Sequence, residues 1–111
     1  MIEYSTSFVP PKTSEQTPLE GFTLAEVIRS VIDDDLEAER FIRFTKQRYH
    51  EVLVAFRGTD ILGFQLCDYD HHEMNIVLGR QVLSSLLSEE DAAYIGRRLG
   101  DQAKDRYEDM Y

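Results

Sequence analysis

Apolar residues recur along this chain with two different periods, and the places where the period changes mark its elements. Leu24, Val27, Ile28, Val31 and Ile32 stand at i, i+3, i+4, i+7 and i+8, which puts a single apolar stripe on a helix. Thr23 is placed to cap that helix, with Glu26 completing a capping box and Phe22 and Val27 placed as a hydrophobic staple. The run Asp33-Asp34-Asp35 opposes the dipole at a helix C-terminus but suits the start of the next helix. Asp34 is its expected cap, Glu37 follows three residues later, and Ala38, Phe41, Ile42 and Thr45 continue a helical stripe. A strand over residues 40–45 is the competing reading. A last helix, over residues 88–109, is capped by Ser88 and carries Glu89, Glu90 and Asp91 in its first turn. Its buried stripe is Ala92, Ile95, Leu99, Ala103 and Tyr107.

Over residues 49–78 the period falls to two. Val52, Val54 and Phe56 alternate with Leu53, Ala55 and Arg57, and Gly58-Thr59-Asp60 supplies a turn. Residues 61–67 read as a second strand, 68–73 as a polar turn and 74–78 as a third strand, with Gly63 marking a bulge or a close backbone approach. Val82, Leu83, Leu86 and Leu87 read as a short helical turn, a continuing strand being the alternative. Near the start, Ile2, Tyr4, Phe8 and Val9 alternate loosely as a short strand, and residues 9–21 form a proline-bounded linker. The expected fold is α+β, a single domain over residues 1–111. A small antiparallel β-meander of three to four strands packs against two or three helices, including an amphipathic C-terminal helix.

Composition narrows the classes. Hydrophobic residues are 42% of the chain and aromatics 11%, enough to build a core and to exclude wholesale disorder. Cys67 is the only cysteine, so no internal disulfide forms and a reducing compartment is expected. No apolar run approaches the roughly 20 residues that span a bilayer, and the N-terminus lacks a signal peptide's pattern. The expected location is the cytoplasm, of a host cell if the chain is phage-encoded.

Constellations that carry chemistry are sparse. Asp68, Asp70, His71, His72 and Glu73 cluster metal-ligand types in one turn, at a spacing that matches no metal motif, so a solvated acidic turn is preferred. Cys67 with His71 lacks a third, orienting group. The segment 53–59, Leu-Val-Ala-Phe-Arg-Gly-Thr, resembles a strand and turn near the oxyanion region of the fungal-type lipases. The chain has no Gly-x-Ser-x-Gly elbow and is too short for that fold, so the segment is read as a buried strand ending in a glycine turn. With no glycine-rich phosphate loop, no cofactor is expected and the chain is read as non-enzymatic.

Charge is the strongest functional indication. The net charge is −9, from 12 basic and 21 acidic residues, which disfavours nucleic acid and anionic lipid and favours a protein partner with a basic surface. It is unevenly spread: residues 33–40 hold five carboxylates and one arginine, whereas residues 41–58 hold four cations and one carboxylate. On the last helix Asp101, Asp105 and Asp109 stand at i, i+4 and i+8, an acidic ridge with Arg97, Arg98, Lys104 and Arg106 interleaved. Tyr107 and Tyr111 end the chain among acids, as aromatics do at interfaces. The expected partner-binding residues are therefore Asp33, Asp34, Asp35, Glu37, Asp101, Asp105, Asp109, Tyr107 and Tyr111. Gly96 and Gly100, with Ala92 and Ala103, form a small-residue strip that allows close approach to the sheet or to a second subunit, hence a homodimer. Gly100 as a helix end with Asp101 capping a further helix is the alternative.

In size and charge the chain looks like phage-borne anti-CRISPR or anti-restriction proteins. That likeness implies a small acidic inhibitor that blocks a basic nucleic-acid-binding or nuclease surface. An immunity, antitoxin or chaperone-like protein that binds a basic toxin or effector is the second expectation. A metal-binding protein or enzyme built on residues 68–73 is the third.

Overall fold

A computed structural model describes residues 3–9, 24–48, 51–70 and 75–108. The elements in chain order are β1 (Ser5–Val9), α1 (Leu24–Val31), α2 (Asp35–Arg48), β2 (Glu51–Arg57), β3 (Asp60–Asp70), β4 (Asn75–Leu83) and α3 (Glu89–Glu108). The four strands form one antiparallel sheet in the order β1-β2-β3-β4. This is the expected α+β meander with a C-terminal helix. The linker over residues 10–21, the Thr23 cap and the Phe22 staple lie outside the described residues.

Both faces of the sheet are covered. Val52 and Val54 on β2 and Phe64 and Leu66 on β3 pack against Leu24, Val27 and Ile28 of α1 and Ala38, Phe41 and Ile42 of α2. Leu53, Ala55, Leu62 and Cys67 point the other way, onto Ile95, Leu99 and Ala103 of α3. The unbroken apolar run Val52-Leu53-Val54-Ala55 is what such a strand needs, since alternate side chains enter different cores. Phe41 and Phe64 meet edge to face at 5.5 Å, tying α2 to the sheet centre.

Two irregularities keep the faces in phase. Ala55 pairs with Gly63 and Phe56 with Ile61, so Leu62 is an extra residue on β3. The insertion sends Leu62 to the α3 side while Phe64 stays on the α1–α2 side. Gly63 also fulfils the close approach, because a Cβ there would lie 2.8 Å from the Val82 carbonyl oxygen and 2.6 Å from a Leu83 methyl. Between Gln65↔Gln81 and Cys67↔Leu78 the register slips again, with one extra residue on β4. The Gln65 side-chain amide donates to the Gly79 carbonyl at this slip (2.9 Å), satisfying a group the ladder leaves unpaired.

The segment after Gly79 corrects the reading of a short helical turn. β4 continues to Leu83, with Val82 opposite Phe64 and Leu83 opposite Gly63, and the chain turns only at residues 84–87. The slip breaks the period-2 pattern on β4, and leucines spaced across strand and turn imitated a helical stripe. Ser88 does cap α3, accepting from the Asp91 amide (3.1 Å). α3 runs unbroken through Gly100, so that glycine does not end a helix and Asp101 starts none.

The glycines separate two effects. Gly63→Ala places a methyl against backbone and should destabilise the fold by about 1–3 kcal/mol. Gly100→Ala meets nothing within 4 Å in a helix interior and should stabilise it by about 0.5–1 kcal/mol. Urea unfolding midpoints at unchanged slope check both.

Candidate binding surfaces

The acidic run folds into the corner between α1 and α2. Asp33, Asp34, Asp35, Glu37 and Glu39 are all exposed there. Asp34 caps α2 as its position in the sequence requires, its Oδ1 accepting from the Glu37 amide at 2.8 Å, while its backbone oxygen accepts from Ala38. Asp35 pairs loosely with Arg29 of α1 (3.6 Å) at an exposed site where such a pair contributes little. In the middle of these acids Leu36 is 57% exposed, and two turns along the same outward row of α2 Phe44 is 48% exposed. Arg40, and Arg43 from the basic segment, are also exposed on α2.

On the other face of the sheet, α3 is fastened to the edge strand β1 by three long polar side chains. Arg98 sits against the Tyr4 phenol, Gln102 donates to the Thr6 hydroxyl (2.8 Å), and the Arg106 guanidinium lies 4.1 Å from the Phe8 ring centroid. Arg106 also forms a two-pronged ion pair with Glu51 of β2, at 2.6 and 2.7 Å. The spacing explains the match: four residues of helix rise about 6 Å and two residues of strand about 6.6 Å. Arg98 and Arg106 thus reach towards β1 and the sheet, and Arg98 also stands close enough to Asp101 to feel its charge and shares a cleft wall with Asp105. Both acids are exposed. Asp109 and Tyr111 lie outside the described residues, as does the side chain of Tyr107.

The two expected acidic surfaces therefore lie on opposite layers. Gly96, half of the small-residue strip, faces β4: its carbonyl accepts from Gln81 (2.8 Å), and a Cβ would meet the Gln81 side-chain oxygen. Gly100 keeps open space.

Alongside these contacts a cleft of about 880 Å³ opens between α3, the β1 segment and the β2–β3 turn. Its walls are Tyr4 and Thr6 of the β1 segment, Arg57 and Gly58 of the turn, and Tyr94 and Arg98 of α3, with Glu3 and Asp105 also lining it. The Tyr4 and Tyr94 rings meet edge to face at 6.2 Å. The neighbouring Tyr4 oxygen, then Tyr94, raise the Arg98 pKa above its ordinary value. This cleft was not legible in the sequence, since its residues come from three separated segments. The one local signal was Arg57 directly after the apolar run of residues 52–56.

Cys67 is fully buried and donates to the Gln65 carbonyl (3.2 Å). Burial pushes its thiol up to about 12, so at neutral pH it holds its proton and is no nucleophile. Among the described residues no group of three or more His, Cys, Asp and Glu could hold a metal ion. His71, His72 and Glu73 lie outside them, as does the Asp70 side chain. No helix among the described residues is long and apolar enough to cross a membrane. Comparisons with protein-family models, with curated proteins and with solved structures each found no match.

The Cys67 thiol sets an alkaline limit. Its folded pKa of about 12 lies above the 9.0 of an ordinary thiol, so the unfolded chain loses the proton first. The thiol's contribution is fully present below pH 9 and is lost as pH rises from there towards 12, at no more than about 1.4 kcal/mol per pH unit. Unfolding curves over that window should show a smaller decline for Cys67→Ala than for the parent chain.

Proposed function

We propose that this chain is a small acidic, non-enzymatic inhibitor that binds a basic protein surface through the α1–α2 corner. The observation that carries the reading is the exposure of Leu36 within a rim of five exposed carboxylates. An apolar anchor ringed by charge has the anatomy of a protein interface, where the rim steers encounter and the anchor slows release. The target class is a nucleic-acid-binding or nuclease surface, of the kind that anti-CRISPR and anti-restriction proteins occlude. A net charge of −9 supports this by repelling nucleic acid while attracting the proteins that hold it. The α3 ridge of Asp101 and Asp105 supplies a second, weaker contact, because it lies on the other layer and has Arg98 beside it.

The test is capture from host lysate by the immobilised chain at roughly 50 and 500 mM salt, with and without competing duplex DNA. The expected captures are basic nucleic-acid-binding proteins that high salt releases and DNA displaces. Leu36→Glu combined with Asp35→Asn and Glu37→Gln should lower capture about tenfold or more, whereas Asp101→Asn with Asp105→Asn should change it by less. Asp34 is left intact because it caps α2. Capture that is indifferent to the α2 variant overturns the reading.

A further inference from the structure

We propose that the cleft between the β1 segment, the β2–β3 turn and α3 is a binding site for a phosphoryl group carried by a small molecule. Arg57 and Arg98 reach it from separate elements, and neither forms a salt bridge to another described residue. Two guanidinium groups on different walls suit an oxyanion with several acceptor oxygens better than a single carboxylate. Arg98 spends one donor on the Tyr4 oxygen, which leaves the Tyr4 hydroxyl proton to be donated elsewhere. Gln102 keeps its second amide proton after donating to Thr6.

Gly58 holds a φ of 61°, and nothing stands within 4 Å of where a Cβ would be, so the turn's backbone is open to an approaching ligand. The cleft thus offers an excess of donors and two phenol rings at one end of a rigid helix–strand ladder. Glu3 and Asp105 make the lining neutral overall, and the chain as a whole is strongly negative. A nucleic-acid polymer is accordingly repelled, while a small anion can reach the two arginines and binds modestly. The carboxylates remain as acceptors for ligand hydroxyls.

This site is independent of the α1–α2 corner, on the opposite layer, so either can fail without the other. The experiment titrates the isotope-labelled chain with inorganic phosphate, adenosine monophosphate and acetate at constant ionic strength, following backbone amide resonances. Saturable shifts at Gly58, Tyr94, Arg98 and Gln102 are expected with both phosphates. Tighter binding of the nucleotide would show that the tyrosines read the ring of a phosphate ester, and equal binding that the phosphoryl group alone is read. Arg57→Ala, at an exposed strand end, and Arg98→Lys, which keeps charge but loses the fork, should each weaken binding about tenfold. Asp35→Asn should leave it unchanged. Shifts that do not saturate, that spread over the chain, that acetate reproduces at equal concentration, or that survive both arginine variants overturn the proposal.

Discussion

The constraint on which everything else rests is a sheet with no polar face. Val52, Leu53, Val54 and Ala55 are buried in succession, so β2 feeds two cores at once and must be covered on both sides. A four-stranded sheet of this kind exposes too much apolar surface to exist with one layer of helices. α1 and α2 close one side and α3 the other. The acidic corner belongs to the first cover, whereas the arginine cleft lies where the second meets the sheet edge and the β2–β3 turn.

Keeping two cores supplied from one sheet requires exact phase, and the two slips in register provide it. The second slip is also where the layers are joined by polar contacts. Gln65 is buried and bonds to the Leu66 and Gly79 carbonyls, Gln81 donates to Gln65 and to the Gly96 carbonyl of α3. Buried amides are tolerated only when their hydrogen bonds are made, and here they fix the height of the helix over β4. Gly96 leaves room for the Gln81 amide, whose oxygen a Cβ there would crowd. A glycine pair with the spacing of a dimer motif is, for half of its length, a contact within the chain.

Much of this was legible from the order of residues. Asp34 and Ser88 announced their caps, the strands followed β-formers broken by Gly58, and the helical stripes named the buried faces. Legibility failed where spacing along the chain stops reporting position in space. The end of β4 was obscured by its extra residue. The interleaved arginines of α3 looked like a neutralising pattern on a solvated face, yet Arg98 and Arg106 reach across to Tyr4, Phe8 and Glu51, residues 55 or more positions away. The acids and the cap of the α1–α2 corner could be read because they lie in one continuous segment, whereas the exposure of Leu36 among them could not. The cleft could not, because it is assembled from three.

The connectivity of the sheet gives β1 a place of its own in time as well as in space. β2, β3 and β4 follow one another within a few residues and can pair locally, whereas β1 meets β2 only after the chain has closed a loop of about 40 residues holding α1 and α2. No other strand carries so large a closure entropy. Its ladder with β2 and the row of Arg98, Gln102 and Arg106 on Tyr4, Thr6 and Phe8 both work against that cost. The first strand in the sequence is thus tied to the last helix, and one wall of the cleft is the strand whose pairing closes the longest loop in the sheet.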